Sequence, residues 1–231
     1  MKLAYAGFAY AMIQGSSFGA VILTNGGFEN GPTSGYNYTV AGWATVFDAN
    51  YWSMMTNIST PPAGTNLSAT YVAEGSYALR RALYSGQPVG KISFQSVEYT
   101  LSDFSLASGD QLELSLKTRA QGQAGRFETY GTLSFYDSNH TLIGTAFQTS
   151  ALTSAATSSW NDVSGIAVIP DDAVYFRVAA TINVTAALTN TAYAGFDSFS
   201  LVQIPEPSAM VFLVPALAAG TLAYRRRFLQ S

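Results

Sequence analysis

The sequence predicts an all-β fold, an antiparallel β-sandwich, on three observations. Apolar and polar residues alternate through the middle of the chain, turn-forming clusters separate the alternating runs, and neutral polar side chains stand where charges usually would. Only 11% of the 231 residues are charged, while 48% are hydrophobic and 13% aromatic, against roughly 25% charged in an ordinary soluble domain. A strand with one face on a core and the other in water reads with period two. There is enough apolar material here for a packed core.

Taken in order, Ile92 and Phe94 open the series. Leu112, Leu114 and Leu116 alternate with Glu113, Ser115 and Lys117, and Leu133 and Phe135 with Ser134 and Tyr136. Ile166 and Val168 continue it; Val174, Phe176 and Val178 alternate with Tyr175 and Arg177, and Phe199 and Leu201 close it. Turns are expected at Ser108-Gly109-Asp110, Asp137-Ser138-Asn139 and Pro170-Asp171-Asp172. Asn57 to Thr70, with Pro61-Pro62 and Gly64, reads as a long loop, and Ser150 to Ser159 as a second. The middle of the chain shows no amphipathic helix and no internal repeat.

Composition also excludes. Without cysteine there is no disulfide, thiolate metal site or cysteine nucleophile. Residues 18–204 carry seven basic against thirteen acidic side chains, a balance of −6, so nucleic acid is a poor partner. His140 is the one histidine and falls in a turn-like Asn139-His140-Thr141. That argues against a histidine triad or a multi-histidine metal centre.

The two ends differ from the middle. Lys2 followed by the uncharged apolar stretch Leu3 to Ile13, then small residues at Gly19 and Ala20, reads as a signal peptide over 1–20 for removal by signal peptidase. At the other end, 209–224 is an uncharged apolar run, short of the ~20 residues of a full bilayer crossing. Arg225, Arg226 and Arg227 follow it and would stay on the cytoplasmic side. The ectodomain is then 21–203 and the tail 204–231.

Pro205-Glu206-Pro207, the hydrophobic helix and the arginine triplet resemble the PEP-CTERM sorting signal in content, order and spacing. The resemblance implies recognition by an exosortase near Pro205, Glu206 and Pro207, transient anchoring in the inner membrane, and release or transfer to the cell surface or exopolysaccharide of a Gram-negative-type bacterium. It says nothing of ectodomain chemistry.

Within the ectodomain, Asn25-Gly26-Gly27-Phe28-Glu29 with Gly42-Trp43, the segment Glu74 to Arg80, and Gly195 to Leu201 resemble landmarks of galactose-binding-like jelly rolls. So do the hairpin-like Leu133 to Gly144 and the run Trp160 to Val168. In such sandwiches the first and last strands are neighbours. The resemblance implies one structural Ca2+ near Glu29 and Asp197, whose hard oxygens suit that ion; turn capping is the alternative.

A sugar needs planar aromatics beside fixed polar groups. Trp52 and Tyr51, following Asp48 and Asn50, form the leading candidate cluster, with packing as the alternative for Trp52. Tyr36, Asn37 and Tyr38 form a second cluster. Trp43 and Trp160 are expected in the core. Arg80 and Arg81 could add polar contacts, unless Arg81 is merely solvated. Among carboxylates, Glu74, Glu98, Glu113 and Glu128 are a pool from which nothing selects a glycosidase pair. The expectation is a non-enzymatic, exported, carbohydrate-binding surface protein. A matrix protein without a defined ligand is the alternative, and a glycan-cleaving enzyme the remotest one.

Overall fold

The computed structural model describes residues 20–21, 23, 25–30, 40–43, 52–59, 65–67 and 71–204. Residues 1–19 of the expected signal peptide, residues 205–231 of the tail with Pro205, Glu206, Pro207 and Arg225 to Arg227, and Asp48, Asn50, Tyr51 and the Tyr36–Tyr38 cluster lie outside these residues. Among the described residues no helix is long and apolar enough to cross a membrane.

Among the described residues thirteen strands form two sheets. They are β1 (Ala20–Val21), β2 (Trp52–Thr56), β3 (Thr65–Leu67), β4 (Tyr77–Leu83), β5 (Gly90–Gln95), β6 (Tyr99–Thr100) and β7 (Gln111–Gln121). After these come β8 (Phe127–Tyr136), β9 (Phe147–Gln148), β10 (Leu152–Thr153), β11 (Asn161–Val168), β12 (Tyr175–Val184) and β13 (Ala192–Ile204). One sheet runs β11-β7-β13-β4-β2-β3 with β1 added on β13; the other runs β10-β8-β12-β5 with β6 on β12 and β9 on β8. The long strands β4, β5, β7, β8, β11, β12 and β13 alternate between the sheets, as jelly-roll wiring does. Among the described residues every strand-to-strand pairing is antiparallel except β2 with β3. The first strand pairs with the last, Ala20 opposite Val202.

Alternation fixes which residues face inward. Leu112, Leu114 and Leu116 are buried opposite Val163 and Ala167 of β11. On the second sheet Leu133, Phe135, Phe176 and Val178 are buried too. One end of the core is aromatic. Trp43 stacks on Phe94 with centroids 5.4 Å apart, and it touches Phe28 and Phe199 at 4.9 and 5.1 Å. Its indole N–H donates to the Asn25 carbonyl at 3.1 Å. Each such side chain contributes roughly 1.5–3 kcal/mol by leaving water.

Several expectations are corrected. The loop over 57–70 contains β3, and the loop over 150–159 contains β10; two- and three-residue strands leave no periodicity to read. In β11 it is Val163 and Ala167 that face the core, whereas Ile166 and Val168 point outward, 54% and 57% exposed. Register with β7 decides this: Gly165 and Ala167 lie opposite Leu114 and Leu112. Arg81 is not solvated. It is 2% exposed, lies between Ala194 and Trp52 in the sheet, and holds its guanidinium 5.3 Å from the Trp52 ring.

Candidate functional site

Trp52 belongs to the core. It is 4% exposed, with Phe94 and Phe196 at centroid distances of 5.5 and 6.1 Å. In β2 the residues opposite Leu79 and Arg81 are Met54 and Trp52, and β4 turns Leu79, Arg81 and Leu83 inward. A ring packed this way offers no face to a sugar. Trp43 is in the core as expected. Trp160 is not; it is half-buried on the outer face of the larger sheet.

That outer face gathers what the sequence scattered. In the register of β7, β13 and β4, Arg119, Gly195 and Arg80 form one row across the sheet. Trp160, one residue ahead of β11, extends it: a Cβ on Gly195 would come within 2.9 Å of the Trp160 ring. Glycine here lets the indole lie against the sheet backbone. The neighbouring row carries Gln121, Tyr193 and Ala82.

Tyr71 lies against both rows, its ring edge-on to Tyr193 at 5.8 Å. The Arg80 guanidinium stands 5.0 Å from the Tyr193 ring and 5.4 Å from that of Tyr71. That of Arg119 stands 4.9 Å from Tyr71. Gln121 Oε1 accepts from the Tyr71 hydroxyl at 3.1 Å and from Arg119 Nη2 at 2.9 Å. Burial pushes the Tyr71 hydroxyl above its ordinary pKa, and the positive charges of Arg119 and Arg80 work against that rise. Cation–π contacts of this kind contribute about 0.5–2 kcal/mol each and fix the guanidinium planes.

Arg80 Nε and Trp160 Nε1 are buried without a hydrogen-bond partner among the described residues. Of this cluster, the sequence points to Arg80 as a polar contact and places Trp160 in the core. Tyr71, Tyr193, Arg119 and Gln121 had no local signature, because the face is assembled from β4, β7, β13 and the segments before β4 and β11.

Glu29 and Asp197 do converge. The loop 73–77 is hung from them by backbone N–H groups. Ala73 and Glu74 donate to Asp197 Oδ2 at 3.0 and 3.1 Å, Ser198 N to Oδ1 at 2.7 Å, and Ser76 and Tyr77 to the Glu29 carboxylate at 2.8 and 3.3 Å. Asp197 is fully buried, and that burial raises its pKa to about 6; the three N–H donors pull the other way and the charge of Glu29 adds to the rise. Gly26 approaches the closing strand so closely that a Cβ would collide with the Phe199 carbonyl, and Phe199 N donates back to Gly26 O at 3.1 Å. The two carboxylates thus pin the first segment, the 73–77 loop and β13 together, immediately before Arg80.

Among the described residues no three His, Cys, Asp or Glu side chains gather into a metal-holding group. At Glu29 and Asp197 five backbone N–H groups already meet the carboxylate oxygens. Two carboxylates, one of them fully buried, meet there, and neither forms an ion pair among the described residues.

The acidic pool is scattered over different elements. Glu74 pairs with Lys117 at 3.4 Å and accepts from Ser198. Glu98 pairs with Arg177 at 3.1 Å and with the His140 ring at 2.7 Å. Glu113 lies in β7 and Glu128 in β8. His140, in its turn, stacks on Tyr175 with centroids 4.5 Å apart.

No protein-family model matches the chain, and no curated protein matches it. Solved structures resemble it at low identity. One is the CBM22-1 xylan-binding domain from Paenibacillus barcinonensis Xyn10C: 15% identity, 83% of this chain and 99% of that one, TM-score 0.48. Another is TmCBM61 in complex with β-1,4-galactotriose: 16% identity, 78% and 96% coverage, TM-score 0.47. A third is the enzymatically active domain of bacteriophage CBA120 tailspike protein 4: 10% identity, 81% of this chain, TM-score 0.47. This chain spans only 22% of that tailspike chain.

Proposed function

We propose that the sandwich is a non-catalytic glycan-binding module, carried outside the cytoplasm on a polypeptide that an exosortase cuts near Pro205-Glu206-Pro207. One observation carries the binding half: the half-buried rings of Trp160 and Tyr193 share a sheet face with Arg80 and Gln121, backed by the buried Tyr71 and Arg119. Aromatic rings take the apolar faces of a sugar, and fixed donors and acceptors take its hydroxyls. Export and sorting rest on the two terminal segments, where the tripeptide, apolar run and arginine triplet stand in order.

A single structural Ca2+ belongs to this proposal. Glu29 and Asp197 would hold it with backbone carbonyls, and it would supply the positive charge their site lacks. The ion's role is to lock the 73–77 loop, which positions the start of β4 and so Arg80.

Screening the full chain and its Tyr193→Ala variant on a glycan array tests the binding role. The unaltered chain is expected to retain one glycan class. The variant should lose about 2 kcal/mol, some thirtyfold, as a central aromatic contact does. Unchanged retention by the variant removes this face from the account.

A matrix role without a defined ligand is the second reading, favoured by one feature. The edge strand β11 exposes Ile166 and Val168 beside an open groove of about 430 Å³ that Phe135, Ile143 and Phe147 also line. Self-association that Ile166→Lys abolishes, with no glycan retained, would favour that role.

A further inference from the structure

We infer that the face bearing Arg80 and Arg119 takes an anionic glycan, one with carboxylate-bearing (uronic-acid-type) residues, rather than a neutral one. This rests on the glycan-binding role proposed above and names the substrate class. The domain is acidic, seven basic side chains against thirteen acidic over 18–204. Against that balance, two of the seven stand side by side on one row of one sheet face, separated only by Gly195.

Among the described residues no carboxylate answers Arg80. Among the described residues, the ion pairs join Lys117 to Glu74 and Asp162, and Glu98 to His140 and Arg177. Arg80 enters none of them. It stands over the rings of Tyr71 and Tyr193, and its Nε has no acceptor among the described residues. A guanidinium whose faces lie against rings still has the in-plane N–H fork, which fits the two oxygens of a carboxylate.

Arg119 lies in the same row across Gly195, with its Nη2 on Gln121. The flanking rings of Trp160 and Tyr193 suit the body of the sugar, and the guanidinium suits its acid group. Neutral hydroxyls would satisfy the same donor with hydrogen bonds about half as strong as charge-assisted ones.

The test uses the full chain, a soluble galacturonic-acid oligomer, and the same oligomer after reduction of its carboxyl groups to alcohols. Affinity is read by calorimetry at two salt concentrations. The acidic oligomer is expected to bind at least tenfold more tightly than the reduced one, with the advantage shrinking as salt rises. Arg80→Gln, checked for an unchanged melting temperature, should close most of that gap, and Tyr193→Ala should weaken both oligomers alike.

Equal affinity for the two oligomers overturns the anionic assignment while leaving the glycan-binding role standing. Binding of neither, with a glycan array also blank, overturns both. A preference for the acid that Arg80→Gln leaves untouched places the charge recognition elsewhere and overturns the site.

Discussion

Gly75 shows how much one residue can fix. Its φ is +63°, a conformation that side chains other than glycine's adopt only with strain. A Cβ there would also strike the Glu29 carboxylate. Gly75→Ala is expected to destabilise the protein by about 2 kcal/mol or more, seen as a melting temperature lower by at least several degrees. An unchanged melting curve would mean that the Glu29 clamp on Ser76 and Tyr77 carries little.

Asp197 makes a pH prediction of definite sign. Its folded pKa of about 6 lies above its ordinary 3.8. Between those values the folded chain holds a proton that the unfolded chain has released. Without added calcium, stability therefore falls as pH rises from about 4 to 6, by roughly 3 kcal/mol from this group, and is level above that window. Bound calcium favours the ionised form and reverses the trend. At pH 7 and 100 times its dissociation constant it should add ~2.7 kcal/mol, an increment that fades as pH drops below 6. Melting curves with calcium and with chelator at pH 7 and pH 5 check both statements.

The elements explain what the sequence could and could not disclose. Long strands packed on the core were legible: β7, β8, β12 and the end of β13 follow the alternation of Leu112 to Leu116, Leu133 to Phe135, Phe176 to Val178 and Phe199 to Leu201. Which of two faces is inside was not legible wherever both are apolar or mixed. Trp52 and Trp160 are the instructive pair, since each stands at the head of a strand and nothing local separates them. Pairing does. Trp52 is set opposite the inward-facing Arg81, and Trp160 comes to lie against Gly195, opposite the outward-facing Arg119 and Arg80. The candidate binding face drew residues from 71 to 193, a span that short windows do not join. The Glu29–Asp197 pair was legible because both residues sit in recognisable segments at the chain's opening and closing strands.

Substitution separates the two tryptophans. Trp52→Ala empties core volume and should lower stability by about 3–5 kcal/mol. Trp160→Ala removes a half-buried ring and should cost far less stability, while lowering glycan affinity. Equal destabilisation by the two changes would contradict the inside–outside assignment, and chemical unfolding curves of both variants give the comparison.

At the scale of the whole molecule, a disulfide-free sandwich must rest on its core and on the clamp at Glu29 and Asp197. The proposed route outward adds a topology: the sandwich on the far side of the membrane, arginines on the near side. Expressed in a bacterium that has an exosortase, the protein should end near residue 207 when its mature form is weighed by mass spectrometry. Replacing Glu206 should leave it uncut and membrane-bound. A mature form that keeps Arg225 to Arg227 in the presence of the exosortase would contradict the sorting proposal.

The face of Trp160, Tyr193 and Arg80 is the centre of the account, and the indole N–H resonances of the three tryptophans report on it directly. Titrated with the glycan best retained on the array, the Trp160 signal should move with saturation while those of Trp43 and Trp52 stay near their starting positions. A shift confined to Trp43 or Trp52, or binding that leaves Trp160 unmoved, would contradict it.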